Sequence, residues 1–456
     1  MRTKMIMLMV LFVGFSTMAQ SKKWTLEQCV AQALENNIQL KKGALSLALQ
    51  KEEIGIAKAN FLPIVNGTAS HSYEFGSFIG QSGTRISADS QRNSFRINTS
   101  ITVYNGNRNK LSLEQSKRNL EVGGLDLETQ KDDISLLVVN YFLNVLFNKE
   151  NIKVANEQLV ISQKQLSNMS MLIEAGTRPK SDLFESEASL ANDEEKLVTA
   201  TNNLSLSLLS LSQLLQVSHV GFDTEDVAIQ LSNASLIEGD TEAIYQKATG
   251  IRTEIESAIL KVENTNTDIA IAKTGFLPTV SVGGAVGTSY QHSLGEKDVR
   301  LVRDPISGET SLIPNGFGIQ LDNNLGYNIG VNVNVPIFNG FRNKINVSKA
   351  KIRKEIALCN LEDEKIKLRE KIERAYVDSK AALKQYEVSL KSLKSQEVSF
   401  KNAQESYSLG VMTSFDFDQV RNRMVVAKSN LINAKYNYIF KSKLLDYYNG
   451  IPIVIE

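Results

Sequence analysis

Hydrophobic positions along the chain follow two rhythms, and each rhythm occurs twice. Phe95, Ile97, Thr99, Ile101 and Val103 alternate with Arg96, Asn98, Ser100 and Thr102. Much later, Leu325, Tyr327, Ile329, Val331, Val333 and Val335 alternate with Gly326, Asn328, Gly330, Asn332 and Asn334. A period of two with one aliphatic and one polar face predicts β-strands. The other rhythm is a four–three spacing through Ile134, Val138, Tyr141, Val145, Ile152, Ala155, Leu159, Leu166, Met169 and Ile173, broken at Asn148 and Ser162. Its counterpart is Ile372, Tyr376, Leu383, Tyr386, Leu390, Leu393, Phe400 and Tyr407, broken at Ser379 and Glu397. A sustained seven-residue repeat predicts long helices packed as left-handed coiled coils.

The doubling is a tandem duplication. Ala57-Lys58-Ala59-Asn60-Phe61-Leu62-Pro63 recurs as Ala272-Lys273-Thr274-Gly275-Phe276-Leu277-Pro278, offset by 215. Tyr104-Asn105-Gly106-Asn107-Arg108-Asn109-Lys110 recurs as Phe338-Asn339-Gly340-Phe341-Arg342-Asn343-Lys344, and Gly176…Asp182 as Gly410…Asp416, both offset by 234. One insertion of 19 residues between Pro278 and Phe338 reconciles the offsets. The expected organisation is a first repeat at 20–219, an equatorial linker at 220–240, a second repeat at 241–449 and a tail at 450–456. In each repeat a helix runs to Phe-Leu-Pro, where proline ends it and starts a strand. The first repeat is expected to hold strands 64–75 and 94–104, a long helix 107–175 and a helix 182–217. The second is expected to hold strands 279–290 and 325–335, a long helix 342–408 and a helix 415–448. A helix over 107–175 would be roughly 100 Å long at the α-helical rise. All seven prolines fall at these boundaries or in loops.

The first residues bear on compartment. Arg2 and Lys4 precede an apolar run from Met5 to Phe15, with small residues at Thr17 and Ala19. That pattern reads as a secretory signal over 1–19, with a mature start at Gln20. Beyond it, the most apolar helical stretches, Ile134–Phe147 and Leu204–Val217, are 14 residues each and contain Asn, Ser or Gln. A membrane-crossing helix needs about 20. Strands of about 10 residues, by contrast, suit a bilayer crossing. Four strands cannot close a barrel, and open edges facing lipid leave N–H and C=O groups unpaired. Two chains would make an eight-stranded barrel filled by its own side chains, whereas three would make twelve strands with a lumen. The polar face would then line water and the aliphatic face meet lipid.

Charge and candidate chemistry exclude more than they add. The net charge is +1 with 22% charged residues of both signs, which argues against a nucleic-acid groove. Cys29 and Cys359 fall in helical patterns and read as packing residues rather than a disulfide framework. His71, His219 and His292 have no metal-ligand spacing, and no phosphate loop or nucleophile triad is present. Neither an enzyme nor a cofactor is expected. Trp24, Tyr73, Tyr104 and Tyr290 read either as interfacial anchors or as packing.

The opening Thr25-Leu26-Glu27…Ala33-Leu34…Asn36-Asn37, the paired Phe-Leu-Pro motifs, the paired Asn-Gly turns and the two Gly-x5-Asp hairpins together resemble the TolC-like outer-membrane efflux family. The resemblance covers essentially the whole chain after the signal. It implies a mixed α/β membrane protein, trimeric, with a 12-stranded outer-membrane β-barrel continued by an α-helical coiled-coil periplasmic barrel. It also implies a channel in a tripartite efflux or secretion system, coupled by a periplasmic membrane-fusion adaptor to an inner-membrane pump of RND, ABC or MFS type. A non-conducting trimeric coiled-coil scaffold or adhesin is the alternative, but it leaves the four amphipathic strands and their duplication unexplained.

The hairpin tips are the candidate site: Gly176, Thr177, Arg178, Pro179, Ser181 and Asp182 in one repeat, Gly410, Thr413, Ser414 and Asp416 in the other. From chemistry alone, glycine permits a left-handed helix end, while Ser181 or Asp182, and Ser414 or Asp416, are candidate helix caps. The resemblance implies that these tips meet the adaptor and that Asp416 forms a periplasmic gate. The family's second gate aspartate falls at Gln419, so Asp418 is the nearest acid. Three Asp416 carboxylates near one axis would favour cations.

Overall fold

The computed structural model describes residues 23–79, 83–87, 89–227, 240–306 and 308–451. The expected signal at 1–19, most of the linker and nearly all of the tail lie outside them. The elements are α1 (Leu26–Asn36), α2 (Ile38–Ala59), β1 (Ile64–Glu74), β2 (Ser77–Ile79), β3 (Arg85–Ser87), β4 (Ser90–Tyr104), α3 (Arg108–Glu174) and α4 (Ser181–Leu214). After the linker come α5 (Thr241–Ile251), α6 (Thr253–Thr274), β5 (Thr279–Ser293), β6 (Val299–Arg303), β7 (Thr310–Pro314), α7 (Phe317–Asn323), β8 (Gly326–Asn334), α8 (Arg342–Ser408) and α9 (Ser414–Tyr448). Both α3 and α8 are 67 residues long. Among the described residues no helix is long and apolar enough to cross a membrane.

The chain divides into two compact units that cut across the sequence repeats: each takes segments from both. One unit is helical and holds the core. Val138, Val139, Phe142, Leu143, Val145 and Leu146 of α3 pack with Leu211 of α4, Leu26, Cys29 and Ala33 of α1, and Tyr436 and Ile439 of α9. The two most apolar stretches of the sequence are therefore core. Burying each such large side chain contributes about 1.5–3 kcal/mol. A second cluster joins Ile244 and Ala248 of α5 to Leu368, Ile372 and Ala375 of α8 and Leu445 and Tyr448 of α9. Thr25 and Gln28 close a reciprocal cap on α1. Trp24 packs on Phe222 with ring centroids 6.0 Å apart, so its role is packing.

Helix pairs α1–α2 and α5–α6 break at Asn37 and Arg252, positions related by the 215-residue offset. Both are buried, at 6% and 7% exposure. Asn37 donates to the Leu214 carbonyl at 3.4 Å. Arg252 pairs with Asp132 at 3.0 Å and Glu254 at 3.3 Å, and its guanidinium lies 3.9 Å above the Tyr447 ring. The same backbone break is thus held by an amide in one repeat and by a cation in the other.

The other unit holds an antiparallel sheet of order β1-β4-β5-β8. Registers Arg96↔Gly287, Ser94↔Ser289 and Ala285↔Asn328 align one polar face; Ile97↔Val286, Ile101↔Val282 and Val282↔Val331 align one aliphatic face. Strand β4 starts at Ser90 rather than 94, and β5 runs to Ser293 rather than 290. Polar residues there carry no hydrophobic alternation, yet their backbones still pair, Ser90 opposite Ser293. Strand β1 ends at Glu74, and β8 spans Gly326–Asn334.

The segments between the expected strands of each repeat, 76–93 and 291–324, contain the β2–β3 and β6–β7 ribbons and α7. Beyond the end of β8, Gln320 replaces a strand partner. Its Nε2 donates to the Gln291 carbonyl at 2.9 Å, and its Oε1 accepts the Gln291 N–H at 3.0 Å. Tyr290, at 7% exposure, donates to Asp298 at 2.9 Å and meets Phe317 edge-on, which makes it a packing residue.

The duplicated motifs meet within this unit. Asn109 donates to the Asn60 carbonyl at 2.8 Å, and its repeat counterpart Asn343 donates to the Gly275 carbonyl. Each bond ties the start of a long helix to the helix end that precedes Phe-Leu-Pro. Two successive left-handed residues make each turn, Gly106–Asn107 (φ 67° and 68°) and Gly340–Phe341 (φ 64° each).

Candidate functional site

Helices α3 and α8 end in the same way. Gly176 and Gly410 adopt φ of 70° and 75°. The Gly176 and Thr177 N–H groups donate back to Ile173 and Leu172, and those of Gly410 and Val411 to Tyr407 and Ser406, all at 2.9–3.0 Å. This pair of bonds satisfies carbonyls that a helix end leaves free.

The next helices start differently, and not as the candidate caps suggest. Thr413 caps α9: its Oγ1 accepts the Asp416 N–H at 3.1 Å and donates to Asp416 Oδ2 at 2.7 Å. Ser414 and Asp416 are already inside the helix. At α4 the cap position is Lys180, with no side-chain bond; the Pro179 carbonyl accepts the Asp182 N–H at 3.1 Å instead. Ser181 and Asp182 are likewise inside their helix. The hydroxyl that can cap stands one residue earlier than Ser414, and the first tip has Pro179-Lys180 at the corresponding places.

The two repeat-related aspartates therefore have different electrostatic settings. Asp182 has Arg178 at 3.9 Å and a hydrogen bond from Ser181 at 3.2 Å. Asp416 is exposed, and among the described residues its carboxylate has only the neutral Thr413 hydroxyl. Asp418 is drawn inward, with Oδ1 3.3 Å from Arg421 and accepting from Gln165 at 3.5 Å. Phe417, 2% exposed, stacks on Tyr407 at 4.8 Å and sits 5.6 Å from Phe400, seating the first turn of α9 on α8. Burial pushes the Tyr407 phenol up from its usual range, so it stays neutral here.

Arg421 is the site residue that sequence reasoning missed. It is 2% exposed and joins α9 to α3 and α4. Its Nη1 donates to Ser162 at 2.5 Å and Gln165 at 2.9 Å; its Nη2 donates to Ser189 at 2.9 Å and lies 3.1 Å from Asp193. Asp193 also accepts from Ser162 and pairs with Lys196 at 3.0 Å. The signal was present: Ser162 is one of the two polar residues interrupting the α3 apolar grid. Among the described residues, no group of three or more His, Cys, Asp or Glu side chains is placed to hold a metal ion.

The chain thus combines an amphipathic antiparallel sheet with two helix hairpins, each with one arm of 67 residues. The chain belongs to the outer membrane efflux protein family, whose model matches residues 29–216 and 244–446. It is 22% identical to the cation efflux system protein CusC of Escherichia coli over 425 residues, spanning 89% of this chain and 82% of that one. To the outer membrane protein TolC of Vibrio cholerae it is 23% identical over 419 residues, spanning 90% and 86%. Its fold superposes on a solved CusC structure with a TM-score of 0.76 at 17% identity, covering 94% and 92% of the two chains. The Campylobacter jejuni outer-membrane channel CmeC gives 0.74 at 21% identity, covering 93% and 85%.

Proposed function

We propose that three copies of this chain form a conducting duct in the bacterial outer membrane, serving a tripartite efflux or secretion system with a periplasmic adaptor and an inner-membrane pump. The observation that carries the reading is the sheet. Both of its edges, β1 and β8, are open, and every residue of those two strands is exposed. On the aliphatic face Tyr327, Ile329, Val331 and Val333 are 57–86% exposed. An open edge and a bare apolar face are costly in lipid and in water respectively, so both call for partners. The strands alternate in direction along β1-β4-β5-β8. Placing β8 of one copy beside β1 of the next therefore keeps the ladder antiparallel. Three copies close it at twelve strands, with the Asn-, Ser- and Gly-rich face toward water.

In this reading the hairpin tips lie at the periplasmic end and contact the adaptor. Asp416, unneutralised among the described residues, supplies an acidic ring at the gate. Asp418 holds Arg421 and contributes no second ring. Mass measurement and electron microscopy of the detergent-purified protein test the reading. A hollow trimer supports it, and a monomer or a solid rod overturns it.

A further inference from the structure

The four sheet strands contain three formal charges, Glu74, Arg92 and Arg96. The registers put all three on the polar face, where Arg92 stands opposite Gln291 and Arg96 opposite Gly287. A groove of about 630 Å³ opens there, and its lining includes Arg92, Ser94, Arg96, Ser289, Gln291 and Asn328 but no carboxylate. Glycine makes the space. A Cβ built on Gly287 would stand 3.5 Å from Arg96 Cβ and Cγ, so the Arg96 stem lies across a position that has no side chain. Among the described residues neither guanidinium reaches an acid within ion-pair distance; Arg92 Nη2 donates to the neutral Gln291 Oε1 at 3.3 Å. Both side chains are exposed.

We propose that this groove is an anion site of the duct, taking carboxylate- or phosphate-bearing solutes in transit. The inference rests on the closed-barrel reading above, in which this face lines the lumen. The arginines stand four positions apart, about 14 Å along the strand. The site therefore offers two planar forks, each able to grip an oxyanion with two parallel N–H···O bonds. Ser94 and Ser289 add hydroxyl donors between them, and Gln291 and Asn328 add amides. Three protomers give six guanidiniums against three Glu74 carboxylates, a net positive wall. It lies on a different unit of the chain from Asp416.

The test is single-channel conductance of the purified wild-type trimer in planar bilayers, with inorganic pyrophosphate as the probe. It is run at about 0.1 M salt, where the screening length is about 10 Å. Wild-type channels are expected to be blocked in a concentration-dependent way. The double substitution Arg92→Gln with Arg96→Gln is expected to raise the half-blocking concentration at least about tenfold, equivalent to about 1.4 kcal/mol. Arg92→Lys with Arg96→Lys keeps the charge and is expected to retain much of the block. Conducting wild-type channels that pyrophosphate does not block, or a block unchanged by the glutamines, would overturn the anion site and leave the duct standing. Trimers that never conduct would overturn the barrel itself, and this inference with it.

Discussion

Replacing Arg421 with methionine is the sharpest probe of what holds α9 against α3 and α4. The arginine is 2% exposed and its Asp193 partner side chain 2%. Removing one member of a buried ion pair costs about 3–5 kcal/mol, because the other charge is left without its counterion. Two features place this site at the low end. Lys196, 43% exposed, still reaches Asp193 at 3.0 Å through a partly wetted contact. Among the described residues Arg421 Nε has no hydrogen-bond partner, so the native guanidinium is not fully compensated. Methionine also refills much of the arginine stem. The expected loss is about 3 kcal/mol, or about a hundredfold in the local opening equilibrium.

Native-state amide exchange over 417–427 in the intact assembly reads that opening directly. The double replacement Arg421→Met with Asp193→Leu removes both charges and is expected to recover most of the protection, since a buried pair exchanged for apolar residues is often near neutral. Exchange in Arg421→Met that matches the wild type would show that the pair contributes nothing. A double variant as labile as the single one would show that the loss was lost packing rather than stranded charge.

Other expectations follow from the same geometry. Burial pushes the Cys29 thiol up from 9.0 to about 12, so native protein should take up one maleimide per chain, at exposed Cys359, and two once unfolded. The sign follows from linkage: this contribution to stability is complete below pH 9 and lost as pH rises toward 12, costing about 1.4 kcal/mol by pH 10, measurable as a falling urea midpoint. Asp416→Asn should lower the potassium-over-chloride permeability ratio of the reconstituted channel, whereas Asp182→Asn, which removes an acid already beside Arg178, should leave it nearly unchanged. On β8, Val331→Lys puts a charge on the aliphatic face and should cost about 2–4 kcal/mol of folding into lipid vesicles. Its neighbour Asn332→Lys, on the polar face, should be tolerated, and equal effects would contradict the assignment of faces.

Much of the architecture is written in local pattern. Alternation through Ile97–Ile101 and Tyr327–Val333 needs only the two-residue strand period, and the faces it marks are those the sheet registers align. The four–three grid through Val138 and Ile372 needs only the helical period, and both residues are fully buried. Glycines 176 and 410 announce their left-handed turns because few other residues adopt that backbone cheaply. Phe-Leu-Pro marks where helix gives way to strand, and Asn-Gly where the chain turns into a long helix, for reasons contained in proline and glycine themselves.

What required the tertiary structure depends on residues distant in the chain. Arg421 looks like one more surface cation until Ser162, Ser189 and Asp193, more than two hundred positions away, are brought around it. Asp418 is a gate candidate only through the family resemblance, and nothing local in the sequence tells that the buried Arg421 guanidinium lies 3.3 Å from its carboxylate. Asp182 and Asp416 are indistinguishable as repeat partners, yet among the described residues one has Arg178 at 3.9 Å and the other has no cation within ion-pair distance. Sequence by itself marked the long helices, the four sheet strands, their duplication and the two faces of those strands, because these follow from short-range periodicity and backbone preference, whereas the β2–β3 and β6–β7 ribbons and α7 carry no such pattern. The tertiary structure decided which charges are buried in packing and which stay exposed, because desolvation and pairing depend on neighbours that no local window contains.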